Sequence, residues 1–284
     1  MPRVSAMLLL AFALPAQGEV RTASVPSPSL GRDVGAVIQL PPSYERSPGR
    51  RYPYLVVLHG LFESQGFWER RGLAAVLERL WAAAKVPELV VVAVDGGNSF
   101  FVNSPGGRYE DLVTKDVPAW IEGNLRVRSG REARGLWGVS MGGYAALRIA
   151  LAHPDAFFAV NTHSAMLLDA IPTREAGAGR WQMDAFYRVF GDPIDAALWA
   201  ANDPLRLAAK ADGNGAPALR FDCGAQDRYG LAKGNEALHR ALDSRDVKHT
   251  FALPPGDHGY EYVLSVAEEG LLFLGGALTV KASR

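Results

Sequence analysis

The sequence predicts an α/β fold, a mostly parallel central sheet with helices on both faces, and three observations carry that prediction. Tyr54-Leu55-Val56-Val57-Leu58 and Leu89-Val90-Val91-Val92-Ala93-Val94 are unbroken apolar runs, the composition of strands buried on both faces. Stretches with apolar residues at helical spacing alternate with such runs, which is the order of a parallel sheet and its crossovers. The third is Gly138-Val139-Ser140-Met141-Gly142, a G-x-S-x-G motif. It lies between an apolar run, Gly135-Leu136-Trp137, and a good helix former, Tyr144 to Ala152. Strand, sharp turn and helix are the context this motif requires.

Taken in order, the chain opens with Arg3, an apolar run from Ala6 to Leu14, and the small residues Pro15-Ala16-Gln17-Gly18. That is the layout of a signal peptide over residues 1–18, with cleavage near Ala16 or Gly18, and it predicts a secreted or periplasmic protein. The run is too short to span a bilayer, and no later apolar run reads as a membrane anchor. Residues 19–284 are expected to form one domain, because 284 residues are within reach of a single α/β unit. Val20 to Leu30, rich in Ser and Pro, reads as a loop, and Val34 to Leu40 as a strand stopped by Pro41-Pro42. Helices are predicted from Trp68 to Lys85, from Tyr109 to Leu125 with either a kink or a later start imposed by Pro118, around Leu231 to Leu242, and from Tyr260 to Phe273. Further strands are predicted at Phe157 to Val160, Ala218 to Gly224 and His249 to Leu253. Met166 to Asp212 is longer than an ordinary crossover, so residues 166–212 are read as a small cap beside the site. There Trp181, Phe186, Tyr187, Phe190 and Trp199 either wall a pocket or pack the inserted helices onto the core.

Composition excludes some function classes. Lys+Arg and Asp+Glu number 30 each, so the chain lacks the basic footprint of a nucleic-acid binder. Cys223 is the only cysteine, so no intrachain disulfide can form. Phosphate loops and metal-ligand clusters are not legible in the sequence.

A serine hydroxyl needs a base to become a nucleophile, and a carboxylate to orient that base. In the strand–turn–helix context of Ser140 the acid follows the serine in the chain and the histidine comes last. Asp227, in Cys223-Gly224-Ala225-Gln226-Asp227, and His258, in Pro254-Pro255-Gly256-Asp257-His258-Gly259, fit that order. Both lie on loops just past strands, at the edge where open α/β sheets bind ligands. Asp222 lies inside a strand and reads as structural. Asp257 is adjacent to His258, and neighbouring residues rarely point the same way. His59 is expected to brace its loop, His153 to end a helix, and His239 and His249 to fall on a helix and a strand edge. The oxyanion donors are predicted as the N–H of Met141 and of Leu61, with Gly60 or Phe62 as alternatives to Leu61. The substrate pocket is predicted to include Phe62, Trp68, Phe100, Phe101 and His163.

These motifs together resemble the esterase D-like branch of the α/β-hydrolases, whose members include S-formylglutathione hydrolases, feruloyl and acetylxylan esterases, and mycolyltransferases. The resemblance runs from about Ser29 to the C-terminus. It rests on Leu30-Gly31-Arg32, Leu40-Pro41-Pro42-Ser43-Tyr44, Tyr52 to Gly60, Tyr109-Glu110-Asp111-Leu112 to Pro118, the Ser140 turn, the loop from Gly224 to Asp227, and His258. It implies an α/β-hydrolase fold and no metal or organic cofactor. The expected activity is a serine carboxylesterase acting on small-molecule or polysaccharide-linked esters, of short-chain or feruloyl type. An acyltransferase using a sugar or lipid hydroxyl and a catalytically silent binding protein are the alternatives. Glutathione-directed members are generally cytosolic, so the signal-like N-terminus argues against that role.

Overall fold

The computed structural model describes residues 17–168, 170–173, 180–213 and 215–280. Residues 1–16 of the expected signal peptide, 1–18, and the Trp181 side chain lie outside what is described.

The first described element departs from the sequence reading. The Ser- and Pro-rich stretch is not a loop but strand β1, Glu19–Ser27, paired antiparallel with β2, Arg32–Leu40. β1 is the outermost strand, so Pro26 sits where a missing N–H is tolerated, and Val25 and Ser27 turn inward. β3, Tyr54–Leu58, follows and is buried throughout. The helix predicted from Trp68 to Lys85 is two helices, α1 (Phe67–Arg70) and α2 (Leu73–Ala82). They part at Gly72, whose φ of 84° is a left-handed conformation that glycine adopts freely. β4, Val90–Val94, comes next, then a two-strand hairpin, β5 (Asn103–Ser104) with β6 (Gly107–Arg108).

The helix predicted around Pro118 starts as α3, Tyr109–Asp111, widens into a π turn at Leu112–Asp116, and continues as α4, Val117–Asn124. The proline lacks an N–H and its ring crowds the carbonyl four residues back, at Thr114, so the turn ahead of it opens. β7, Arg134–Val139, leads through Ser140 into α5, Met141–Ala152. β8 is Ala159–His163, two to three residues later than predicted. It ends in Asn161, Thr162 and His163, all fully buried, and polar residues hide a buried strand from an apolar-run reading. α6 (Arg180–Phe190), α7 (Ala196–Ala201) and α8 (Pro204–Ala208) form the insertion. Then come β9 (Ala218–Asp222), α9 (Leu231–Asp243), β10 (His249–Ala252) and α10 (Tyr260–Val280).

The large sheet has the order β1-β2-β4-β3-β7-β8-β9-β10, antiparallel at β1/β2 and β2/β4 and parallel elsewhere. Alternation along β3 divides the core: Tyr54, Val56 and Leu58 join one cluster, Leu55 and Val57 the other. α4, α5 and α9 cover the first face, α2 and α10 the second. α10 is apolar and long enough to cross a membrane over Tyr260–Thr279, which the sequence reading had not found. Half of it is buried, and it packs on α2 and on β7, β8 and β9.

Candidate active site

The parallel strands place their C-terminal ends along one edge, and four of the loops that leave this edge meet there. β7 ends at Val139 and turns through Ser140, whose backbone takes φ 54° and ψ −114°. That conformation is costly for a residue with a Cβ, and the surroundings hold it. The Ser140 N–H donates to the His163 carbonyl at 3.0 Å, and the Ser140 carbonyl accepts from Met166 N–H at 3.0 Å. The tight turn depends on its glycines. A Cβ at Gly138 would run into the Gly142 carbonyl, and one at Gly142 into the Leu58 carbonyl.

Asp227 lies five residues past β9 and His258 six past β10. The structure brings both to Ser140. The Ser140 hydroxyl donates to His258 Nε2 at 3.2 Å, and His258 Nδ1–H donates to Asp227 Oδ2 at 2.8 Å. The second carboxylate oxygen, Oδ1, accepts from the Tyr229 N–H at 2.9 Å, and Asp227 is buried. The Tyr229 ring packs edge-on against the His258 imidazole, centroids 4.8 Å apart. Asp257 does not compete for this imidazole. Its Oδ1 accepts from the N–H groups of Arg228 and His258, and its carboxylate pairs with Arg228. The Arg228 guanidinium and these N–H donors hold the Asp257 carboxyl at about 2.

The loop after β3 supplies backbone donors. His59 is fully buried and braces it: Nδ1–H donates to the Gly60 carbonyl at 2.8 Å, and Nε2 accepts from the Gly96 N–H at 3.0 Å. Phe62 N–H is taken by Asn98 Oδ1 at 2.8 Å, which removes Phe62 from the candidate oxyanion donors. Gly60 and Leu61 face the cavity at Ser140. Met141 N–H is at the first turn of α5, where N–H groups have no intrahelical acceptor.

A cavity of about 170 Å³ opens at Ser140 and His258, lined in the main by Phe62, Met166, Tyr229, Tyr260 and Val263. Of the predicted pocket residues, Phe62 lines it and four do not. Trp68 is fully buried beside β2, its indole N–H donating to Gln39 Oε1 at 2.7 Å. Phe100 stacks on Phe186 at 4.7 Å, and Phe101 packs on His59 at 5.6 Å, both sealed in the core. His163 is the last residue of β8, not a loop residue. Its Nδ1–H donates to Asp222 at 2.9 Å, and its Nε2 accepts from the Asn161 amide at 3.0 Å. Asp222 also accepts from Arg220 and from the Tyr262 hydroxyl, at 2.6 and 2.7 Å. Burial opposes its charge, but His163, Arg220 and Tyr262 outweigh burial and hold the carboxyl below its usual range.

The residues that line the cavity in their place are Tyr229, Tyr260 and Met166. Tyr229 and Tyr260 each lie two positions past a predicted site residue, so sequence adjacency was a usable signal. Met166 was hidden by the misplaced end of β8. Among the described insertion aromatics, Phe186, Phe190 and Trp199 pack on one another and, through Phe186 and Phe190, on Phe100. None of them lines this cavity.

Comparison with known proteins gives a consistent picture. The sequence profile of the Esterase family, described as "Putative esterase", matches residues 27–265. A solved ferulic acid esterase superposes with a TM-score of 0.77 at 26% identity, covering 92% of this chain and 99% of that one. The S-formylglutathione hydrolase of Paracoccus denitrificans is 30% identical over 176 residues, 60% of this chain and 58% of that protein. The diacylglycerol acyltransferase/mycolyltransferase Ag85A of Mycobacterium leprae is 30% identical over 197 residues, 63% of this chain and 55% of that protein. The chain thus spans little more than half the length of these two relatives.

Proposed function

This chain belongs to the Esterase family of α/β-hydrolase enzymes, and from that premise we propose that it is an exported serine carboxylesterase working through Ser140, His258 and Asp227. The observation that carries this reading is the continuous relay from Ser140 Oγ through His258 to Asp227, at 3.2 and 2.8 Å, at the mouth of the cavity.

Each residue has a role in the proposed cycle. His258 Nε2 takes the Ser140 proton as Oγ attacks the ester carbonyl, and returns it to the leaving alcohol. Asp227 fixes the Nδ1–H tautomer and offsets the charge of the imidazolium. The N–H groups of Met141 and Leu61 receive the oxyanion, where one such donor is worth about 3–4 kcal/mol of barrier. Water activated by His258 then hydrolyses the acyl-enzyme. The apolar, aromatic-walled cavity suits a short acyl chain or a single aryl ring, and the likeness to a ferulic acid esterase supports the aryl class. The likeness to a mycolyltransferase supports a second reading, in which an alcohol replaces water in the last step.

The test is hydrolysis of p-nitrophenyl esters from acetate to long chains, with methyl ferulate alongside. Ser140→Ala is expected to lower kcat/KM by at least about a thousandfold while remaining folded. Turnover retained in that variant rejects Ser140 as nucleophile. Diversion of the product to an ester when glycerol is added favours the transferase reading. Export rests on the N-terminal segment and is checked by N-terminal sequencing of the expressed protein. A chain that keeps residues 1–16 and stays in the cytoplasm refutes it.

A further inference from the structure

We propose that Asn98 is a positioning residue of the ester reaction: from the loop after β4 it holds the loop after β3 in the conformation that aims the Leu61 N–H at the oxyanion. The inference rests on the esterase reading and adds to it a residue that touches neither Ser140 nor the ester. Asn98 Oδ1 accepts from the Phe62 N–H at 2.8 Å. Phe62 takes φ 62°, in the left-handed region, which a residue with a Cβ keeps only where its surroundings hold it. The preceding N–H is that of Leu61. It donates to no acceptor among the described residues, and Leu61 lines the cavity at Ser140.

The grip is double. The Gly96 N–H donates to His59 Nε2 at 3.0 Å, so residues 95–98 hold the Leu61 loop at both ends, at His59 and at Phe62. Between those two points the loop comes closest to the nucleophile: a Cβ at Gly60 would stand 3.5 Å from Ser140 Cβ. The Glu63 N–H donates back to the Gly60 carbonyl at 3.3 Å and closes the turn. The holding loop is itself fixed. The Asp95 N–H donates to the Gly35 carbonyl of β2 at 2.9 Å, and Asp95 Oδ1 accepts from the Gly97 N–H at 2.8 Å. Gly96 lies so close to the Phe101 ring that a Cβ would run into it, and Phe101 is sealed in the core. The Asn98 side chain therefore leaves a base tied to both the sheet and the core.

The role follows from what the bond does to its neighbours. With the Phe62 N–H occupied, Leu61 is left to offer its N–H to the cavity. A donor already aimed where charge develops needs no reorganisation during the reaction, and a misplacement of about 1 Å can cost on the order of a hundredfold in rate. Asn98 does not line the cavity, so it acts through Leu61. Its loss should therefore fall on kcat, because the walls that hold the ester in its ground state are unchanged.

The test compares kcat and KM of the wild type, Asn98→Ala and Asn98→Asp on p-nitrophenyl acetate, with thermal melts alongside. Asn98→Ala is expected to lower kcat about 10- to 100-fold, with KM within about twofold and Tm lowered by no more than about 4 °C. Asn98→Asp keeps an acceptor oxygen at the same reach and is expected to recover kcat to within about fivefold of wild type. A trifluoromethyl ketone, whose adduct with Ser140 carries the oxyanion, should bind Asn98→Ala more weakly by the factor seen in kcat/KM. Unchanged kcat in Asn98→Ala, equal losses in the two variants, or a raised KM at unchanged kcat overturns the assignment. Turnover that survives Ser140→Ala refutes the esterase reading itself. Turnover lost in Ser140→Ala but intact in Asn98→Ala refutes only the role of Asn98.

Discussion

Ser140 stands in a backbone conformation, φ 54° and ψ −114°, that only its neighbours maintain. Strain of this kind costs on the order of 1–3 kcal/mol and is relieved when the Cβ is removed. Ser140→Gly is therefore expected to melt above Ser140→Ala, by about 2–4 °C for each kcal/mol recovered, although both lack the Ser140 hydroxyl. Equal melting temperatures would show that the turn carries no strain. At this scale the sequence was most legible where chain order and a turn motif locate a side chain. Ser140, Asp227 and His258 come from loops 31 and 118 positions apart, yet each is marked by its own short context. It was least legible where orientation decides. Trp68, Phe100 and Phe101 are large apolar residues close in sequence to the site, and all three turn into the core instead. His163 has polar character but is bonded on both nitrogens inside the sheet.

Glu110 joins two elements, since it lies on α3 and pairs with Arg148 of α5 and with His153 at the end of α5. Burial opposes its charge, but His153 and Arg148 outweigh burial and hold the carboxyl at about 2, below its ordinary 4.5. A carboxyl with a lowered folded pKa adds stability that is complete above the unfolded value and is lost as pH falls through the folded one. Glu110→Gln should therefore have a lower urea midpoint than wild type at neutral pH, and the gap should close as pH falls from about 4.5 towards 2. A gap independent of pH would mean that the ion pair is not its source. The insertion makes a separate prediction. Phe186 packs on Phe100, Phe190 and Trp199, so Phe186→Ala should cost about 3–5 kcal/mol by denaturant unfolding while leaving KM for a small ester unchanged. A raised KM with unchanged stability would instead place this ring in substrate binding. Elements were legible where burial is uniform, as in β3 and β4. They were obscured where an edge tolerates proline, in β1, and where a buried strand is built from hydrogen-bonded polar residues, in β8.

The described residues build one eight-stranded sheet between two apolar layers, with the small β5/β6 hairpin apart from it, and stability rests on those layers. The chain has one cysteine, buried beside Asp227, so its Tm is expected to be the same in reducing and oxidising buffers. A Tm that falls on adding reductant would mean that Cys223 is bridging chains. The alternation of apolar strands and helices made the sheet readable from the sequence, and two features of its assembly did not appear there. One is the antiparallel pair at its outer edge; the other is the meeting of α9 and β10. The strained turn at Ser140 also says something about inheritance. A lineage that no longer needed turnover would gain folding stability by replacing this serine with glycine. Under the proposed function, a serine at this turn is a choice of chemistry over folding stability, which alone would favour glycine.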